Sequence, residues 1–254
     1  MRFTKFLSPY LVSKLCILLA VVLVPFSWAG ASESEDDQEE LIQEFFTAET
    51  AVVQEKGEVQ LTLGIQYFEE GETKIWETPF VLEFGITDQL QVAASTTHFW
   101  DKQSGMKQAS GLGEVSVEIA YGILTDMDKL VLTAGLEAVF PEQDQRDSQI
   151  QEDETEWEPF AIIARQIGAG QIHLGTGVSL EEKELEVHLA GVYPWKNWRG
   201  TLEFNGSFDD EEEKTYTPGL TWVTNGFEVG VGLVIGETQN VADNRLIVHF
   251  TREF

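Results

Sequence analysis

From residue 58 to the C-terminus the chain alternates apolar and polar residues with a period of two. In the first such stretch Val59, Leu61 and Leu63 alternate with Gln60 and Thr62. Successive side chains of a β-strand point to opposite faces of a sheet, so this alternation predicts strands with one apolar face. The pattern recurs about 12 times, in segments of roughly 9–12 residues separated by turn residues, which predicts an all-β fold.

Residues 1–31 carry the features of an export signal. Basic residues precede an apolar run over 15–24, and a small-x-small cleavage site ends at Ala31. A helix needs about 20 apolar residues to span a bilayer, and this run is shorter. We therefore predict a cleaved signal peptide and a mature chain from residue 32. The one cysteine, Cys16, falls within the leader, so no thiol chemistry is expected of the mature chain.

The charge balance excludes several functions. The chain has 44 acidic and 16 basic side chains and a formal net charge of −28. A protein that binds nucleic acid needs a basic surface for the phosphates, so this class is excluded. Outside the leader, no apolar run approaches the length of a spanning helix. If the mature chain enters a membrane, it must therefore do so as a β-barrel.

Strand number, loop lengths and aromatic placement favour the barrel. Single-chain bacterial barrels have an even number of strands, short periplasmic turns, longer external loops and an aromatic girdle at each rim. Short turns are predicted at 87–89, 125–129, 168–170, 194–198 and 224–226, and longer loops at 101–111, 142–155, 209–214 and 236–243. We predict one transmembrane antiparallel up-and-down β-barrel of about 12 strands over 58–254.

Residues 32–57 lie between the leader and the first strand. They are acidic and begin without a strand pattern. We predict that they form an acidic N-terminal segment in the periplasm. A plug inside the barrel and a segment that binds a partner are the alternatives.

Three segments of the barrel region resemble a known family. They are the strand–turn–strand at 80–92, the strand start at 111–117, and the strand at 135–141 that ends in proline. Each is similar to a segment of the "MetA-pathway of phenol degradation" transporter-like family, and the likeness is strongest over about residues 58–142. The resemblance implies an outer-membrane barrel with a role in transporting small or aromatic compounds, and it implies no catalytic set.

The final strand is similar to the C-terminal assembly signal of outer-membrane barrels. Apolar residues alternate over 246–254 and the chain ends in Phe254, although Arg252 replaces the usual apolar residue. This likeness implies a location in the bacterial outer membrane. It also implies three partners: the barrel-assembly machinery, outer-membrane lipid and lipopolysaccharide.

The lumen face is where functional side chains are expected, because charge on the lipid face is costly. The residues predicted to line it are Glu83, Glu114, Glu118, Glu137, Arg165, His173, Glu186, His188, Glu203, Glu228, Arg245 and His249. Small residues on the same face, among them Gly219, Gly230 and Gly232, predict open space inside. Carboxylates along a narrow pore favour cations or polar neutral solutes. Alternatively, Glu–Arg pairs through Arg165 and Arg245, together with Glu–His pairs, seal the lumen.

Enzyme and metal chemistry are not expected. Outer-membrane lipases use a Ser–His pair, and the chain has no His-x-Ser sequence. His173 and His188 on neighbouring strands are a conceivable metal pair, but their register does not follow from the sequence. We predict no catalytic, cofactor or metal site.

The function that these patterns favour is a channel or transporter-like protein for small solutes, including aromatic or cationic ones. One alternative is a non-transporting surface barrel whose acidic loops bind ions or a partner, since hard cations prefer carboxylate oxygens. A weaker alternative is an outer-membrane hydrolase.

Overall fold

The computed structural model describes residues 42, 44–70, 73–103, 109–126, 129–141, 155–181, 183–208, 213–238 and 241–254. These ranges hold twelve β-strands. They are β1 (Val59–Glu70), β2 (Thr73–Thr87), β3 (Leu90–Gln103), β4 (Ala109–Asp126), β5 (Leu130–Phe140), β6 (Glu156–Ile167), β7 (Gly170–Val178), β8 (Leu185–Trp195), β9 (Trp198–Ser207), β10 (Glu213–Thr224), β11 (Phe227–Thr238) and β12 (Val241–Glu253).

The twelve strands form one closed barrel in which each strand pairs antiparallel with its neighbours in sequence. β1 closes the ring against β12, where Thr62 lies opposite Thr251 and their hydroxyl oxygens are 3.0 Å apart. Closure removes the free strand edges that would leave backbone polar groups without partners in lipid. The predicted up-and-down barrel of about 12 strands is confirmed.

The period-two alternation separates the outer face of the barrel from the lumen face. On β4, Val117, Ile119 and Tyr121 are exposed on the outside, whereas Ser116 and Ala120 are buried on the inside. The same contrast recurs around the ring, so that large apolar side chains cover the outer surface. An apolar surface of this extent is unusual for a soluble monomer, and it is what a surrounding hydrocarbon layer requires.

The connections differ between the two ends of the barrel. At the end that we call the turn end, two-residue turns lie at 88–89, 168–169, 196–197 and 225–226. Asn225 and Gly226 have φ values of 44° and 66°, as a type I′ hairpin turn requires at both central positions. The barrel also begins and ends here, because Val59 and Phe254 exchange backbone hydrogen bonds of 2.9 and 3.3 Å.

The opposite end, which we call the loop end, has connections at 71–72, 104–108, 141–155, 179–184, 208–212 and 239–240. The loops predicted at 101–111 and 236–243 are shorter than expected. The reason is that β3, β4, β11 and β12 continue past the ends that the apolar alternation suggests. Long strands of this kind extend a barrel beyond the hydrocarbon layer, where the outward positions no longer need to be apolar.

Several predicted features lie outside the described residues. These are the signal peptide at 1–31, residues 32–41 and 43 of the acidic segment, and nearly all of the acidic loop at 142–155. Within the described ranges, no helix combines the length and the apolar character needed to cross a membrane.

Replacing Leu233 by arginine tests whether the outer face contacts lipid. Leu233 lies near the middle of β11 and is 44% exposed, so an arginine there would place a charge in hydrocarbon. We expect a loss of about 2–4 kcal/mol in the free energy of unfolding, against about 0–1 kcal/mol for Tyr193→Arg near the rim. Denaturant titration of the refolded protein in lipid vesicles measures both losses. Equal losses at the two positions would contradict a lipid-facing surface.

Candidate functional site

Residue 42 and residues 44–58, which we call the inner segment, run from inside the barrel to its turn end, where Glu55, Lys56 and Gly57 are exposed. The described apolar residues of its first half are buried, and Ile42, Phe45 and Ala48 cluster with Ala190 and Val192 on the lumen face of β8. The leading prediction for residues 32–57 is a periplasmic segment, and it is wrong for residue 42 and residues 44–54, which occupy the lumen as in the plug alternative. For residues 32–41 and 43 the periplasmic location stays a prediction.

The inner segment enters from the turn end, where it pairs with β2. The N–H of Gly57 donates to the carbonyl of Gly85 at 2.8 Å, and the N–H of Gly85 donates to the carbonyl of Glu58 at 3.0 Å. A Cβ atom on Gly85 would lie 1.9 Å from the carbonyl oxygen of Glu55, so the lack of a side chain permits this close passage. From here the inner segment crosses the lumen to the wall formed by β8–β11, where Phe46 also reaches His249 and Ile247 on β12.

Glu203 holds the far end of the inner segment. This β9 side chain is fully buried, and its carboxylate accepts hydrogen bonds from three consecutive backbone N–H groups. These come from Phe46 at 3.1 Å, Thr47 at 2.7 Å and Ala48 at 3.0 Å. The hydroxyl of Thr47 also donates to it at 2.9 Å. Hydrogen bonds to a charged acceptor contribute about 1.5–3 kcal/mol each, so this contact is a strong one.

Phe46 fills the space left by three glycines. Its ring stacks on His249 with a centroid separation of 4.5 Å and an interplanar angle of 7°. Cβ atoms on Gly219, Gly230 and Gly232 would lie 2.1, 2.8 and 2.7 Å from atoms of this ring. The prediction that these glycines leave open space is therefore wrong, because the inner segment occupies it.

Three further hydrogen bonds hold the middle of the inner segment. The N–H of Ala51 donates to His173 Nδ1 at 3.2 Å, and the carbonyl of Ala51 accepts from the hydroxyl of Thr133 at 2.5 Å. The N–H of Gln54 donates to Gln91 Oε1 at 2.7 Å. Each contact replaces a hydrogen bond that the backbone would otherwise make with water.

A cavity of about 200 Å³ lies between the inner segment and the opposite wall, formed by β2–β6. The inner segment contributes Glu44, Glu49, Thr50, Val52 and Val53 to its lining. The wall contributes carboxylates, hydroxyls and apolar groups, namely Val81, Glu83, Gln91, Ala93, Ser95, Ser116, Glu118, Ala120, Thr133, Glu137, Phe160 and Ile162. The lumen therefore has an apolar wall packed by Phe46 and an acidic wall that borders open space.

The acidic wall has a row of carboxylates at one level of the barrel. Glu137 on β5 lies opposite both Glu118 on β4 and Glu158 on β6. Carboxylate oxygens of Glu49, Glu118 and Glu137 all lie within 4.8 Å of one another. Like charges at this spacing repel unless a proton or a cation lies between them, and oxygen ligands of this kind suit hard cations.

The position of Glu49 in the cavity changes its acidity. The side chain faces the open cavity, yet its carboxyl group lies deep inside the protein. The loss of hydration there raises the pKa of Glu49 to about 7, and repulsion from Glu137 and Glu186 acts in the same direction, while His188 opposes it. Glu49 therefore changes charge near neutral pH.

The structure places most of the predicted lumen residues on the face that contacts the inner segment or the cavity. These residues are Glu83, Glu118, Glu137, His173, Glu186, His188, Glu203, Glu228, Arg245 and His249. Glu114 is exposed and lies in a β-bulge, since Thr96 pairs with Val115 and His98 pairs with Leu112. Gly175, not His173, pairs with His188, and His173 instead contacts the inner segment.

Arg165 is placed on the wrong face in the sequence prediction. It pairs with Ile172, which is exposed on the outside, while its neighbour Ala164 is buried against the lumen. Arg165 lies two residues from the end of β6, where a long side chain can reach the polar interface. Arg245 does face the lumen, and its guanidinium lies 4.9 Å from the ring centroid of Phe68. A Glu–Arg165 seal is therefore excluded.

Sequence reasoning missed the functional residues of the inner segment and also missed Gln91, Thr133 and Glu158 on the barrel wall. Phe46 and Glu49 are the main ones, because the first packs the apolar wall and the second borders the cavity. A signal for them exists: two adjacent phenylalanines in an acidic stretch are unusual for a solvated segment. The glycines on the lumen faces of β10 and β11 are a second signal, because they leave room for an aromatic ring.

Comparisons with known proteins agree on the barrel fold. No family model and no curated protein matches the chain. The KdgM porin superposes with a TM-score of 0.56 at 9% identity, over 76% of this chain and 99% of the porin. An outer membrane channel from Pseudomonas putida F1 superposes with a TM-score of 0.57 at 14% identity, over 80% of this chain and 98% of the channel.

The chain thus has the fold of outer-membrane porins and channels. At such low identities the likeness shows the shared fold, and function must be argued from the lumen itself. Two features carry that argument: the inner segment fixed to the β8–β11 wall and the acidic cavity left on the β2–β6 side.

Replacing Gly219 by alanine tests the packing of Phe46. The new Cβ would lie 2.1 Å from the Phe46 ring and 2.5 Å from Thr201 Oγ1, so Phe46 must move. We expect a loss of about 1–3 kcal/mol in the free energy of unfolding, as overpacking usually causes. Gly177→Ala on β7 is the matched control, because no atom lies within 4 Å of its Cβ position. Chemical denaturation in detergent compares the two, and equal stabilities would contradict the packing.

Proposed function

We propose that this protein is an outer-membrane channel for small solutes, with a pathway along the acidic cavity beside the inner segment. The cavity itself carries the proposal. It lies within a closed barrel, and its volume of about 200 Å³ suits a molecule of roughly ten non-hydrogen atoms or a short file of hydrated ions. The β8–β11 side is packed by Phe46 and its neighbours, so the β2–β6 side is where a pathway runs.

The lining favours solutes without negative charge. Glu44, Glu49, Glu83, Glu118 and Glu137 all border the cavity, and rings of carboxylates select cations. Valine, phenylalanine and isoleucine side chains share the lining, so a small organic cation or a polar neutral solute fits better than a bare anion. The KdgM porin is known in complex with disordered oligogalacturonate, and the acidic wall of this chain disfavours such a polyanion.

The second candidate is a surface barrel that transports nothing. The observation in its favour is the inner segment, which occupies the lumen beside β8–β11 and narrows any passage. The predicted seal by Glu–Arg165 pairs gives it no support, since Arg165 lies on the outer face.

The same proposal includes the path of the chain to its membrane. The leader at 1–31 directs export, and the strand that ends in Phe254 directs assembly in the outer membrane. It also includes contact of the rims with lipopolysaccharide and membership of the MetA-pathway transporter-like family. The outward apolar face supports the membrane location.

Neutralising the acidic wall tests the pathway. We expect the Glu118→Gln, Glu137→Gln double variant to lose cation selectivity several-fold, because the cavity loses two of the carboxyl groups that line it. The measurement is the reversal potential of single channels in a planar bilayer with a salt gradient. Asp126→Asn is the control, since this exposed side chain at the turn end lies outside the cavity lining. Unchanged selectivity in the double variant, or the absence of channels from a folded protein, would count against the proposal.

Cation selectivity is also expected to depend on pH. The carboxyl of Glu49 is neutral below its pKa of about 7 and charged above it, so selectivity rises as the pH increases through 7. The Glu49→Gln variant keeps the shape and cannot ionise, and its reversal potential should change less over pH 6–8. A response that persists in this variant would assign the titration to other groups that face Glu49, namely Glu83, Glu118, Glu137, Glu186 and His188.

A further inference from the structure

We propose that Glu203 is the positioning residue that seats the inner segment, and that the seated segment limits the width of the pathway. The first part stands on the contacts of Glu203 alone. The second part rests on the proposed channel function.

The carboxylate of Glu203 forms a specific binding site for one short stretch of backbone. Phe46, Thr47 and Ala48 present three consecutive N–H groups to one carboxylate at 2.7–3.1 Å. Thr47 adds its hydroxyl at 2.9 Å and lies 3.2 Å from the hydroxyl of Thr217 on β10. Four donors converge on this buried carboxylate, and its removal leaves the three backbone N–H groups without their acceptor.

The apolar contacts around Glu203 depend on this seating. Phe46 must turn onto His249 and the glycines, and Phe45 must turn onto His173 at a centroid distance of 5.0 Å. The two rings follow each other in sequence and point to different sides of the backbone. A backbone fixed at Phe46 to Ala48 satisfies both orientations at once, whereas apolar contacts alone are not directional.

If the inner segment left the lumen, the pathway would widen by the space that the segment now occupies. Ile42, Phe45 and Phe46 fill the lumen beside β8–β11, and the cavity lies on the opposite side of the same segment. If the segment leaves its seat, the two regions join. A barrel of about 12 strands without its inner segment has room for larger solutes than the cavity alone.

A disulfide trap measures the seating without any transport assay. The hydroxyl oxygens of Thr47 and Thr217 are 3.2 Å apart, so the Thr47→Cys, Thr217→Cys variant places two thiols next to each other at the seat of the inner segment. The variant is made in the chain from residue 32, which lacks Cys16. We expect rapid cross-linking under a mild oxidant in this background. Slow or absent cross-linking there would overturn the seated position itself.

Substitution of Glu203 then tests its role. In the double-cysteine background we expect the cross-linking rate to fall at least tenfold in Glu203→Ala and by less in Glu203→Gln, which keeps one acceptor oxygen. Glu186→Gln is the matched control, because it removes a lumen carboxylate of β8 whose partner is His188. Heat-modifiable migration in gels verifies that each variant is folded, and Glu203→Gln serves if Glu203→Ala does not fold. Equal rates with and without the Glu203 carboxylate would overturn the proposal.

The width of the pathway is measured on the same proteins. We expect higher single-channel conductance and faster swelling of proteoliposomes with neutral sugars for Glu203→Ala than for the unmodified chain. The oxidised cysteine pair should keep both values low. Identical conductance in the locked and Glu203→Ala proteins would overturn the second part. If cross-linking depends on Glu203 and no variant conducts, the seating is upheld and the channel function is not.

Discussion

A strand in hydrocarbon has no water to satisfy its backbone, and this constraint requires β1 to close on β12. Closure fixes more than the outer surface. A ring of twelve strands encloses more volume than its own lumen side chains fill, so the interior must hold either water or protein. In this chain the inner segment packs one side of the lumen and leaves a polar cavity on the other.

The two sides of the lumen differ in what their side chains contact: one side packs against an aromatic ring, and the other borders the cavity. Gly219, Gly230 and Gly232 have no side chain to oppose Phe46, so that wall is a surface for an aromatic ring. On the opposite wall, Glu118 and Glu137 lie close to Glu49 and border the cavity. These carboxyl groups therefore face the space that a solute would enter.

The sequence predicts the barrel well because alternation is a local property. Strands such as β11 alternate between exposed outer positions and buried lumen positions over residues 230–235, so the number of strands and the face of each side chain follow from the pattern. Arg165 was misplaced because residues 159–164 of β6 are apolar on both faces, which removes the period-two signal. The position of the inner segment could not be derived, since Phe46 and Glu203 are 157 residues apart and their contact depends on closure of the whole ring.

The corner at which the chain enters the barrel links the interior to the seam. Gly57 bonds to Gly85 on β2, and two residues later Val59 bonds to Phe254 at the end of β12. The first strand thus joins the last strand at the point where the inner segment turns inward. This proximity matters for biogenesis. When β12 closes the barrel against β1, it must bond next to the point where the inner segment enters the lumen. Closure of the wall and filling of the lumen are therefore completed at the same corner of the molecule.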